Sequence, residues 1–203
     1  MDTKTVVALL RCFLLTTLVQ SAPTPPLTFK EAIEQTKMVV EKILTGLPAV
    51  HAATINIQGW TLDSPTNLQT MEDSLRIPNP PVIKPLSEGF TLETCVGHML
   101  AGIQLYQGLV GVLSDKLSGL SDLKADLRDL LLRINKMEEV GQLSGTSGSD
   151  QNSASDLASR LPGNYEVQVA VHLTLSRLQS FCHDMMRSLR NIATYRTQPS
   201  GGR

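Results

Sequence analysis

Apolar and polar positions follow a three–four rhythm along most of the chain. The clearest run is Leu120–Val140, where Leu120, Leu123, Leu127, Leu130, Ile134 and Met137 are spaced three, four, three, four, three. An α-helix completes a turn in 3.6 residues, so these six side chains form one stripe, which Leu131 and Val140 widen. Asp122, Lys124, Asp126, Arg128, Asp129, Arg133, Lys136, Glu138 and Glu139 occupy the remaining surface. Such a stripe cannot be buried by one helix alone. The pattern therefore predicts a helix over about 119–140, with Gly141 as its C-cap, that packs against partner helices.

Three more segments carry the same rhythm. Thr28-Phe29-Lys30-Glu31 has the form of a capping box, in which the Thr28 hydroxyl accepts a backbone N–H and Glu31 reaches back to the Thr28 N–H. Phe29, Ile33, Thr36, Val40, Ile43 and Leu47 follow as a stripe, and Gly46 and Pro48 are expected to stop this helix, giving 28–46. A second helix is predicted over 91–114 from Leu92, Val96, Met99, Ile103, Tyr106, Val110 and Leu113. Its glycines 97, 102, 108 and 111 each cost about 1 kcal/mol in a free helix, a penalty tolerable where a neighbouring backbone comes close. The last helix, 164–195, has the stripe Val171, Leu175, Leu178, Cys182, Met185, Leu189 and Ile192.

The connections differ in kind. Residues 48–89 hold six of the eleven prolines and show no clean periodicity. Ile55, Ile57, Trp60, Leu62, Leu68, Leu75, Ile77 and Val82 are nevertheless scattered through them, so an irregular loop packed on the bundle is expected, with Trp60 as a plug against a helix end. The link Ser114–Gly119 is short, which makes the flanking helices antiparallel. Residues 144–159 are rich in Gly, Ser, Asp and Asn and read as a mobile link. Two long links around one short link fit an all-α, long-chain four-helix bundle with up-up-down-down topology and two long crossover loops.

Composition narrows the picture. Aromatic residues make up only 4 % of the 203 residues, which disfavours a strand-rich domain. Residues 1–21 have a polar start at Asp2 and Lys4, an apolar stretch, and small residues at Ser21 and Ala22, the pattern of a secretory signal peptide. No other stretch reads as a membrane span, and residues 22–203 are expected to form one extracellular domain, monomeric when free. With a formal charge of −1 there is no basic excess to hold nucleic acid. Cys95 and Cys182 are the cysteines left beyond the signal. Cys182 lies on the core seam, and the pair either bridges two helices or stays reduced.

Catalytic motifs are missing. The chain has no Gly-rich phosphate loop, no His-Glu-x-x-His and no Cys-x-x-Cys. Cys95 and His98 lie one turn apart, but two ligands do not make a zinc site. An enzyme, a metal or another cofactor is not expected.

Several short patches, in chain order, carry a resemblance: Ile33-Glu34-Gln35; Ser74-Leu75-Arg76-Ile77-Pro78; Leu105-Tyr106-Gln107-Gly108-Leu109; Met137-Glu138-Glu139-Val140-Gly141; and Leu178-Gln179-Ser180-Phe181, followed by Arg187, Leu189-Arg190 and Ala193. On these the chain resembles the long-chain helical cytokines of the interleukin-six-like family, in particular their colony-stimulating members. The resemblance implies binding and activation of a class I cytokine receptor to stimulate granulocyte proliferation and differentiation. It implies a main receptor face of Glu34, Gln35, Lys37 and Met38 on the first helix. Asp126 and Asp129 on the third helix join that face through a one-residue shift. A second face uses Phe181 with the long loop, although Asn67, Gln69 and Thr70 stand where the family has acidic and apolar loop contacts. Cys95 matches a family cysteine whose partner position holds Pro85 here. The competing readings are another helical cytokine, interleukin-six-like or leptin-like, and a secreted carrier of a small lipid.

Overall fold

A computed structural model describes residues 27–62, 68–143 and 156–195. The expected signal peptide over 1–21, the proline-rich residues 22–26 and most of the expected mobile link lie outside the described residues. Among the described residues the regular structure is helical: α1 (Phe29–Thr54), α2 (Gln69–Leu75), α3 (Leu92–Ser114), α4 (Ser121–Gly141) and α5 (Asn164–Tyr195), with a 3-10 turn at Ala158–Arg160 before α5. The four long helices pack as a bundle, with α1 against α4 and α5, and α3 against the same two.

The helix starts follow local chemistry. Thr28 is extended and caps α1, its hydroxyl accepting the Glu31 N–H at 3.3 Å. The Thr28 N–H donates to Glu31 Oε2 at 2.8 Å, and these bonds hold the Glu31 carboxyl below its ordinary value. Thr91 caps α3 by accepting the Thr94 N–H.

α1 does not end at Gly46. It continues through Pro48 to Thr54. Proline lacks the N–H that would bond the Leu44 carbonyl, but it stands on the exposed side of the helix. The stripe runs on past it: Val40, Ile43, Leu47, His51 and Thr54 are all buried. Burial of that continuing stripe outweighs the one missing hydrogen bond, as tertiary packing commonly overrides local propensity.

The long loop contains a helix that its sequence did not announce, α2. Leu75 is buried beneath it, and Leu68 and Met71 are partly buried. The loop packs on the bundle, with Ile55, Leu62, Ile77 and Ile83 buried, while Val82 points to solvent. Two arginines pin the Ser74–Pro78 patch. Arg177 on α5 donates to the Ile77 carbonyl and to Glu72 Oε1, both at 2.8 Å, and Arg160 donates to the Leu75 carbonyl. Arg76 itself takes up the left-handed conformation, φ 46°, that ends α2.

Gly141 is not the cap of α4. It is the last helical residue, and Gln142 takes the left-handed position at φ 52°. The Leu143 N–H then reaches the Glu138 carbonyl and the Gln142 N–H the Glu139 carbonyl. Gly141 serves packing instead, since a Cβ there would meet the Phe29 ring at 2.7 Å.

Cross-helix contacts set the relative directions. Along α1 and α4, Phe29 meets Gly141, Gln35 meets Arg133, Lys42 meets Asp126, and Thr54 meets Gly119. His51 near the end of α1 meets His172 near the start of α5, and Asn56 just beyond α1 meets Gln168. Along α3 and α5, Cys95 faces Ser188 and Gly102 faces Phe181. In each pair one number rises as the other falls, so these helices are antiparallel.

α3 is, by length and composition, apolar enough to cross a membrane, as the buried core helix of a bundle also can be. Only Glu93 is charged along it. In the bundle half of its most apolar window is buried against the other helices.

Candidate functional site: the α1/α4 face

The residues expected on the main receptor face come from α1 and α4, which pack directly against each other. Glu34 is exposed and paired with Lys37 across one turn at 2.9 Å. Gln35 and Lys37 are half-buried. Met38, one turn beyond Glu34, is 61 % exposed. A large apolar side chain this open is notable because the residues flanking it on the surface, Glu34, Glu41 and Lys42, are all charged.

Two polar ties cross from α1 to α4. Lys42 Nζ meets Asp126 Oδ1 at 2.5 Å, with the Lys42 side chain open to solvent and Asp126 about four-fifths covered. The hydrogen bond and charge of Asp126 raise the Lys42 pKa, and Asp129 and Asp122 add to it, so the ammonium stays charged. Arg133 donates from Nη1 to Gln35 Oε1 at 2.9 Å and from Nε to Asp129 Oδ1 at 3.2 Å. The face thus carries acid and base in fixed register, with Gln35 and Asp129 held by one guanidinium.

Between these ties and the end of α1 lies an open groove of about 860 Å³. Met38, Lys42, Thr45 and Ala49 form its α1 side, and Asp122 and Asp126 its α4 side. Gln35, Met38, Asp126 and Asp129 are accordingly brought together where α1 meets α4, whereas Glu34 and Lys37 pair with each other on α1.

Phe181 is not with them. It is 4 % exposed, with its ring over Gly102 and 5.6 Å from the Tyr106 ring. The α3/α5 seam buries it because Gly102 leaves a notch of ring size. Contrary to expectation, Phe181 is a core residue of the α3/α5 seam and offers almost no surface to a partner. Gln69 and Thr70 are exposed on α2, and Asn67 lies outside the described residues.

Cys95 and Cys182 are both buried and both free. Cys95 faces Ser188, six residues along α5 from Cys182, an axial offset of about 9 Å where a bridge tolerates about 7 Å between Cα atoms. Burial pushes the Cys95 thiol up to about 11 and Cys182 up to about 12. His98 donates from Nδ1 to the Val82 carbonyl at 2.9 Å, so Cys95 and His98 have separate partners. Among the described residues no cluster of three or more His, Cys, Asp or Glu is arranged to hold a metal.

No family model matches the chain. The chain is similar to human granulocyte colony-stimulating factor. The two are 32 % identical over 142 residues, which cover 66 % of this chain and 65 % of that protein. The chain therefore spans a little under two thirds of the relative's length in the match. The likeness points to a helical cytokine, and by its name that relative is a growth factor, not an enzyme.

Sequence reasoning missed three features of this neighbourhood. Lys42 was not singled out as the partner of Asp126. The arginine clamp on the loop has no local pattern, because its acceptors are backbone carbonyls about 100 residues away. The His51–His172 pair was hidden by the expectation that α1 stops at Gly46. Following the stripe past Leu47 by four residues would have put His51 on the buried side.

Proposed function

We propose that the chain is a secreted helical cytokine of the granulocyte colony-stimulating type. It would carry a leader over 1–21 and one bundle domain over 22–203. In this reading α1 and α3 run one way and α4 and α5 the other, the up-up-down-down order of long-chain cytokines. The antiparallel pairing of α1 with α4 and α5, and of α3 with α5, supports that order. The function is to bind a class I cytokine receptor and drive myeloid progenitors towards granulocytes.

The observation that carries the reading is the α1/α4 face. An exposed methionine stands among fixed charges of both signs, on residues 84 or more positions apart in sequence. This is the composition of a recognition surface: an apolar anchor for affinity, ringed by charges that steer and set register. Similarity to human granulocyte colony-stimulating factor names the receptor class to try first. Phe181 has no direct contact in this proposal.

The test is binding of residues 22–203 to the immobilised ectodomain of the granulocyte colony-stimulating factor receptor, with colony formation by myeloid progenitors as the cellular readout. Binding tighter than about 1 μM and colony growth are expected. Capture by an interleukin-six-type or leptin-type receptor instead would overturn the assignment.

A further inference from the structure

The last turn of α1 is attached to the bundle in an unusual way. Pro48 interrupts the helix's own hydrogen-bond ladder, and beyond it the chain is secured from α5. His51 Nε2 lies 2.9 Å from His172 Nδ1, with both rings buried. Trp60 from the following loop covers His172, ring centroids 4.9 Å apart. Four residues before His172 on α5, Gln168 accepts the Asn56 N–H at 2.8 Å. The segment so held also forms part of the proposed receptor groove, whose lining includes Thr45, Gly46, Ala49 and Val50.

We propose that the His51–His172 hydrogen bond is an acid-released latch. Closed at neutral pH, it holds the end of α1 on α5 and keeps the groove's α1 wall in place; opened in a mildly acidic compartment, it frees that wall and weakens receptor binding. The binding part rests on the proposed function, while the latch itself does not.

The chemistry is simple. A hydrogen bond between two imidazoles needs one nitrogen to donate and the other to accept, so at least one ring stays neutral. Protonating both would leave two donors facing each other and two buried positive charges. Burial already lowers the pKa of both rings, and His51 lowers that of His172 further. Other charges stand at this end of the bundle: Asp115 and Lys116 in the α3–α4 link, Asp122 and Lys124 on α4, and Glu166 on α5. Burial is nonetheless the leading influence on both rings.

The direction follows from linkage. A histidine whose folded pKa lies below its free value of 6.5 binds more protons when released. Its share of the latch is whole above about pH 6.5 and is lost as pH falls below that value. At pH 5.5 the open form gains about tenfold over the closed form for each histidine that protonates only on opening.

The test uses hydrogen exchange of residues 46–56, corrected for the intrinsic pH dependence, at pH 7.4 and pH 5.5. The wild-type protein is expected to open more at pH 5.5 in this segment, by up to about tenfold for each histidine, with residues 96–110 of α3 unchanged. The double variant His51→Gln, His172→Gln removes the titration and should show no such difference. Because that variant can lose the fold, a wild-type imidazole titration by NMR provides a second measure. Titration of both rings below 6.5, in step with signals of Ala49–Ala53, is expected. Uniform exchange across the bundle, or rings that titrate without a local change, would overturn the latch. Receptor affinity is then compared at the two pH values. A loss of tenfold or more in wild type but not in the variant supports the coupling, and local opening without loss of affinity overturns it. Absence of binding at pH 7.4 would sink the receptor reading while leaving the latch to be judged by exchange and NMR.

Discussion

The ring of Phe181 fills the space left by the missing side chain of Gly102. A Cβ built on Gly102 would lie 2.1 Å from Phe181 Cζ and 2.7 Å from Cε1, well inside contact distance. Two opposite effects therefore meet in Gly102→Ala. Alanine gains about 1 kcal/mol of helix propensity, but the overlap forces the ring or α3 to move, at about 1–3 kcal/mol. The overlap should win, and chemical denaturation of the variant should show a net loss. Phe181→Ala removes a buried ring outright and should cost about 3–5 kcal/mol. A stabilised Gly102→Ala protein would show that the notch is not filled as described.

Charge reversal tests the α1/α4 face. Glu34→Arg and Asp126→Arg should each weaken receptor binding tenfold or more, with far-UV circular dichroism unchanged. Met38→Asp should do the same by removing the exposed apolar anchor. Asp126→Arg also breaks the ion pair with Lys42, so Lys42→Ala is the control. It removes the same pair from its exposed end and should barely move the melting temperature. If all three face variants bind as wild type does, receptor recognition lies elsewhere.

The arginine clamp has a local signature. Arg177 donates to the Ile77 carbonyl and to Glu72, and both side chains of the ion pair are about a quarter exposed. Arg177→Met keeps the stem and removes the donors, so the variant should lose about 1–3 kcal/mol. Residues 69–77 should become the first site of limited proteolysis. Cleavage that begins elsewhere at the wild-type rate would show that α2 is held by its apolar underside alone.

The buried thiols should be silent until the bundle opens. With Cys95 near 11, about one thiol in a thousand is ionised at pH 8, and the sulfur is covered besides. Labelling of Cys95 and Cys182 by a disulfide reagent should follow the unfolding rate, not reagent concentration. Fast labelling of either cysteine under native conditions would contradict its burial.

What could be read from the chain depended on how many turns repeated a signal. α4 and α5 each carry a stripe of six or seven positions, and their observed bounds fall within two residues of expectation. α1 carries an equally clear stripe, but Gly46 and Pro48 outweighed its continuation through His51 and Thr54. The competition is decided by burial against α5, which no local pattern contains. α2 spans two turns, so Leu68, Met71 and Leu75 repeat the rhythm too briefly to separate from chance. Gly141 illustrates the opposite difficulty: the residue was right for a helix end, yet its reason is Phe29 from another helix. At the candidate face, the α1 and α4 residues lay on exposed or half-exposed helix positions as their spacing implied. The exclusion of Phe181 depended on Gly102, 79 positions away, and on the register between α3 and α5.

Cys95 and Cys182 sit two turns out of register, and the crossing loop is tied down by guanidinium groups bonded to carbonyl oxygens. The pair therefore supplies no cross-link whose formation would have to precede, or could misdirect, recovery of the native chain. Renaturation of this bundle should proceed at the same pace in dithiothreitol as in a glutathione redox buffer.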